Sequence, residues 1–209
     1  MELKRTCIVR SPEARDRVRL CGEVTYDDRK YEAETYWFEV HEKYADFLCT
    51  SGNAWVTCLL PLATSLGEPL RLCSPIDRVL SENASELMDI WTCWYPHLSK
   101  VPIEADVTNS DKRQVPERTA AFFSGGVDSF FTALQDRESS VRNSHVDDLL
   151  HVWGFDIPLN QRDAYLRMIS KLRVAATTLG KELVEVSTNI RTTRLDKTGW
   201  GRCCLLYTS

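Results

Sequence analysis

The string Ser124-Gly125-Gly126-Val127-Asp128-Ser129 constrains this chain more than any other feature. It follows a short apolar run, Ala120-Ala121-Phe122-Phe123, and precedes Phe130-Phe131-Thr132-Ala133-Leu134, which has helical character. A buried strand that turns through two glycines into a helix is one unit of a parallel α/β sheet. Two glycines permit backbone conformations and a close approach that a Cβ would prevent. The amides of such a loop and of the first helical turn have no partner inside the helix. Together with the helix dipole they form an anion site. Ser124 and Ser129 add hydroxyl donors. Asp128 suits such a place as a helix cap, or as the holder of a metal ion that itself binds the phosphate. The string lacks the Gly-Lys-Ser/Thr ending of a Walker A loop and is not the G-x-G-x-x-G of dinucleotide-binding folds. A Ser/Gly turn capping a helix is the simpler account of the letters alone. The placement between strand and helix favours a ligand loop.

The rhythm after the string continues the pattern. A helix is predicted from Asp128 to Arg137, a second strand over Leu149–Trp153, an amphipathic helix over Arg162–Leu179 ended by Gly180, and a third strand over Leu183–Val186. Strand, helix, strand, helix, strand reads as a Rossmann-like parallel sheet with right-handed crossovers. The polar, aperiodic stretch from Thr108 to Arg118, with Pro116 inside it, reads as a linker.

The segment before it has a different character. Val18, Leu20, Gly22 and Val24 alternate with polar residues, Asp27-Asp28-Arg29-Lys30 reads as a turn, and Tyr31–Val40 completes a hairpin. A helix is predicted over Asn53–Leu66 with Gly67 as its stop, a short strand over Leu70–Cys73, a second helix from about Pro75 to Trp94, and one more strand over Val101–Val107. This is a small α+β domain. The expected organisation is therefore residues 1–110 as an α+β domain, 111–118 as the linker, and 119–209 as an α/β domain.

Charge divides along the same line. The net charge is -4, which favours neither nucleic acid nor an anionic membrane as partner. Up to Ser110 there are 12 Lys and Arg against 18 Asp and Glu, and after it 14 against 12, so the half with the loop is the more basic one. No apolar run approaches the roughly 20 residues of a spanning helix, and the N-terminus has no signal-peptide pattern. The eight cysteines include no C-x-x-C, and several sit in apolar runs, so they read as reduced thiols of a cytoplasmic protein. Cys93 and His97 have half of a zinc spacing without a second pair. His41, His97, His145 and His151 are scattered, and His151, inside a predicted strand, reads as a core histidine. Trp91, Trp94 and Tyr95 form an aromatic stripe that reads as core.

Phe123-Ser124-Gly125-Gly126-Val127-Asp128-Ser129 resembles the PP-loop, S-G-G-x-D-S, of the N-type ATP pyrophosphatases. That superfamily includes the synthetase domains of asparagine synthetase and GMP synthetase, NAD synthetase, argininosuccinate synthetase and 7-cyano-7-deazaguanine synthase. All six motif positions match, and the resemblance covers Thr119 to about Arg202. It implies an enzyme that cleaves ATP to AMP and pyrophosphate, adenylates a small carboxylate or carbonyl, and lets ammonia or an amine displace AMP, with ATP and Mg²⁺ as cofactors. It implies that Ser124, Gly125, Gly126, Val127, Asp128 and Ser129 bind the pyrophosphate portion, with Asp128 holding metal and Asp128 and Ser129 in catalytic roles. It also implies that the second strand end, Gly154 and Phe155, holds adenine. Asp156 is open between a turn residue and a ribose or substrate contact, and Arg191 and Arg194 between solvated arginines and anion contacts.

Two other readings of the resemblance stay open: a tRNA-modifying PP-loop enzyme, which the acidic chain and the absence of C-x-x-C pairs disfavour, and a nucleotide-binding module without turnover. The N-terminal domain lacks the Cys after Met1 that a class-II glutaminase needs, and is expected to serve substrate recognition or homodimerisation. Three strands are countable where a complete domain of this kind has about five. The expectation is that residues 119–209 are the N-terminal half of such a domain, with Trp200-Gly201-Arg202 opening a further segment and Cys203–Ser209 fitting no element.

Overall fold

Alternation along residues 17–25 dictates the layout of the first half. A computed structural model of the chain describes residues 1–109, 118–135 and 146–197. Most of the expected linker, the predicted helix beyond Gln135, His145, and the segment from Thr198 to Ser209 lie outside the described residues. The chain divides into two compact units, Met1–Arg113 with Asn189–Ser209, and Gln114–Thr188.

In the first unit β1 (Glu2–Arg10), β2 (Arg17–Thr25) and β3 (Glu34–His41) form an antiparallel meander. The predicted hairpin is its second half, with Leu20 opposite Phe38 and Val18 opposite Val40. Two short strands extend the sheet beyond β1: β4 (Leu70–Leu72) and then β6 (Ile103–Glu104), both parallel to their neighbours. Val18, Leu20, Gly22 and Val24 bury one face. Helix α1 (Gly52–Leu66) covers it, laying the Trp55 indole against Gly22, where a Cβ could not fit. Trp55 Nε1 donates to Thr6 Oγ1 at 3.0 Å.

The structure adds one strand to the expected layout and changes three expectations. Strand β1 had no sequence signal, because charged residues and an irregularity between Leu3 and Arg5 break its period. The second helix, α2 (Arg78–Trp94), starts later than expected. Ile76 and Asp77 are instead strand β5, paired with β7 (Val107–Thr108), and the Asp77 carboxylate caps the helix by accepting the Val79 and Leu80 amides at 2.8 and 3.2 Å. The single strand expected over Val101–Val107 is two, because β6 pairs with β4 and β7 with β5. The aromatic stripe is also divided: Trp91 is buried, whereas Trp94 is exposed.

The second unit is a parallel sheet in the order β8 (Ala120–Phe122), β9 (Asp148–Trp153), β10 (Glu182–Thr188). Helix α3 (Val127–Gln135) follows β8, and α4 (Arg162–Leu179) joins β9 to β10. The boundaries of α4 are those the sequence predicts, with Gly180 in the left-handed region at its end. Phe123, Ala133, Leu149, Tyr165, Ile169 and Leu172 make the core. The chain is thus α/β, with a mixed sheet in the first unit and a parallel one in the second. After Thr188 it returns to the first unit. There the Asn189 side chain accepts the Trp37 amide at 2.8 Å and donates to the Thr35 carbonyl at 2.7 Å, and α5 (Arg194–Lys197) follows.

Candidate functional site

The loop Ser124–Gly126 leaves the carboxyl end of β8, the position where open α/β sheets bind ligands. Its base is fixed. Phe123 is buried, its amide donates to the Leu150 carbonyl at 2.8 Å, and its ring meets Phe130 edge-on at 4.9 Å. From Ser124 to Asp128 the chain is exposed. Gly125 has φ +81°, and a Cβ there would stand 2.7 Å from Leu172 Cδ2. The loop therefore packs against the Leu172 side chain of α4, in a left-handed conformation that favours glycine.

The two serines hold the loop together. Ser124 Oγ accepts the Gly126 amide at 3.2 Å. Ser129 Oγ accepts the Gly125 amide at 3.2 Å and donates its own proton to the Gly126 carbonyl at 2.8 Å. The sequence reads both hydroxyls as donors to a ligand. The Ser129 proton is already committed, whereas the Ser124 hydroxyl, having accepted one bond, keeps its proton to give.

The first bond of α3 runs from the Phe130 amide to the Gly126 carbonyl at 3.1 Å. The amides of Val127, Asp128 and Ser129 precede it, and helix geometry gives them no partner of their own. Three donors at the positive end of a nine-residue helix, beside an exposed loop, suit a polyphosphate. The Asp128 carboxylate is exposed on the first turn. Among the described residues no group of three His, Cys, Asp or Glu could enclose a metal ion. Mg²⁺ needs no such cage, since one or two carboxylates with phosphate oxygens and water suffice. The residues present fit a phosphate group accompanied by Mg²⁺ on these grounds.

No family model, curated protein or solved structure matches the chain. What the loop can do rests on its own residues and on those beneath it.

The second strand end lies beside the first, because β8 and β9 are adjacent and parallel. Gly154 has φ +105°, and a Cβ there would fall inside the Thr188 carbonyl oxygen. The Gly154 amide donates to the Ile157 carbonyl at 3.1 Å, closing a turn, so this amide is spent within the protein. Phe155 is half-buried and Asp156 exposed. Arg191 and Arg194 belong to the first unit. Arg191 pairs with Asp196 at 3.3 Å, and the Arg194 guanidinium lies 3.2 Å from the centre of the Tyr31 ring.

His151 is the core histidine the sequence suggests, and it also ties β9 to the base of the loop. It is 6% exposed, and its Nδ1 lies 3.0 Å from the Phe123 carbonyl, one residue before the loop. A carbonyl only accepts, so the neutral ring carries its proton on Nδ1. Nε2 is buried without a partner. Burial pushes the imidazole below its ordinary pKa, opposed by the Phe123 carbonyl, Glu185 and Asp156. The ring is flanked by Tyr165, which stacks on Trp153 at 4.4 Å and donates to Glu185 at 2.9 Å. The alternation Leu149, His151, Trp153 was the available signal, since it puts all three on one face.

Proposed function

We propose that this chain carries the nucleotide site of an ATP-dependent adenylating enzyme of the PP-loop type, with the Ser124–Ser129 loop receiving the pyrophosphate portion. The observation that carries the reading is the exposed two-glycine loop at the end of a parallel strand, followed directly by the open amides of Val127, Asp128 and Ser129. ATP bound with Mg²⁺ supplies the activated phosphorus to which a small-molecule carboxylate or carbonyl oxygen adds as pyrophosphate leaves, after which ammonia or an amine displaces AMP.

The protein's part is electrostatic and positional. The amides of Val127, Asp128 and Ser129 stabilise negative charge where it gathers on the departing group. The Ser124 hydroxyl adds a fourth donor. Ser129 is a positioning residue, because its oxygen ties the Gly125 amide to the Gly126 carbonyl. Asp128 offers the carboxylate for Mg²⁺. Phe155, at the neighbouring strand end, offers apolar surface to adenine.

The test is product analysis. The protein is incubated with Mg²⁺-ATP, ammonia and a panel of small carboxylates, and nucleotide products are separated. AMP and pyrophosphate in equal amounts, lost in Asp128→Ala, are the expected result. ADP with inorganic phosphate, or full AMP formation by Asp128→Ala, would overturn the assignment. Nucleotide binding without turnover would favour the binding-module reading.

A further inference from the structure

Cys7 on β1 and Cys21 on β2 are direct partners in the antiparallel ladder. Directly opposed residues project to the same face. Their neighbours Thr6 and Gly22, also opposed, project to the other face, where the Trp55 ring meets both. The two cysteines therefore share the face turned away from α1. Arg5 and Glu23 stand beside them on that face as a loose ion pair at 4.0 Å. Both thiols are free and half-buried, so neither is sealed in the core. Burial raises the Cys21 thiol above its ordinary pKa, and the adjacent Cys7 adds to the rise, while Arg19 and Arg5 oppose it. Opposed antiparallel residues have Cα atoms about 4.5–5.5 Å apart, inside the roughly 4.4–6.8 Å span of a disulfide.

We propose that Cys7 and Cys21 are a reversible disulfide site, closed by a two-electron oxidant of the peroxide class, that staples β1 to β2. The inference is independent of the nucleotide site. With hydrogen peroxide, one thiol gives up its proton, its thiolate sulfur attacks a peroxide oxygen, the O–O bond breaks, and the departing hydroxide takes up that proton, leaving a sulfenic acid and one water. The second thiol sulfur attacks the sulfenic sulfur, the S–S bond forms, the S–O bond breaks, and a second water leaves. Two thiols and one peroxide thus give one disulfide and two waters. The bond joins strands already paired, so the sheet keeps its register.

The experiment uses the folded chain exposed to hydrogen peroxide, blocked with iodoacetamide, digested with trypsin without reductant, and read by mass spectrometry. The expected product links peptide Thr6–Arg10 to Leu20–Arg29, with the loss of two hydrogens and of iodoacetamide labelling at both cysteines. Dithiothreitol restores labelling. In Cys7→Ser the linked peptide disappears and Cys21 is labelled again; Cys21→Ser gives the reciprocal result and covers the case that the first variant misfolds. Cys7 and Cys21 remaining fully labelled while the exposed Cys49 and Cys73 oxidise would overturn the proposal. So would equal linkage of Cys7 to several other cysteines.

Discussion

Gly125 and Gly154 both sit at positive φ beside the candidate site, and the atom each faces decides what a methyl group would do. At Gly125 the obstacle is Leu172 Cδ2, the end of a flexible side chain, so Gly125→Ala is expected to cost about 1–3 kcal/mol, mostly backbone strain. At Gly154 the obstacle is the Thr188 backbone carbonyl, which cannot rotate away. Gly154→Ala is expected to cost on the order of 4 kcal/mol or more, in the range reserved for severe lesions. Urea unfolding of the two variants checks the order, and equal losses would contradict it. His151 makes a pH prediction. Its folded pKa is depressed by burial, so its contribution to stability is present above the unfolded value near 6.5 and is lost as pH falls below it. His151→Asn keeps an N–H donor for the Phe123 carbonyl without the titration. Melting temperatures between pH 7.5 and 5.5 should therefore fall more steeply for the parent than for the variant.

Among the elements, α4 and the β2–β3 hairpin were legible because their periods are clean and their ends carry turn residues. Strand β1 was not, since four of its nine residues are charged and a register shift interrupts the alternation. The short pairs β4–β6 and β5–β7 are set by distant partners, which no local pattern encodes. The loop was legible by letters and placement. Its internal hydrogen bonds and the bond from His151 to the Phe123 carbonyl were not, because they depend on which groups the parallel register brings together. Asp77 tests one such boundary. Its carboxylate satisfies two amides of α2, so Asp77→Ala should cost about 1 kcal/mol, read by thermal or urea unfolding.

For the molecule as a whole, the two units carry different chemistry. The first is an antiparallel meander widened by short parallel strands. The second presents two adjacent parallel strand ends, with a glycine loop on one and a glycine turn on the other. No described helix is long and apolar enough to cross a membrane. A ligand that binds only the folded state stabilises it, by about 2.7 kcal/mol at a hundredfold excess over Kd. Mg²⁺-ATP should therefore raise the melting temperature, with the increase abolished in Asp128→Ala. The most direct measurement is an amide-resolved NMR titration with Mg²⁺-ATP. The largest shifts are expected at Val127, Asp128 and Ser129, with smaller ones at Gly125 and Gly126, whose amides are already bonded to serine oxygens. Saturable nucleotide binding that leaves these five amides unmoved would contradict the proposed site.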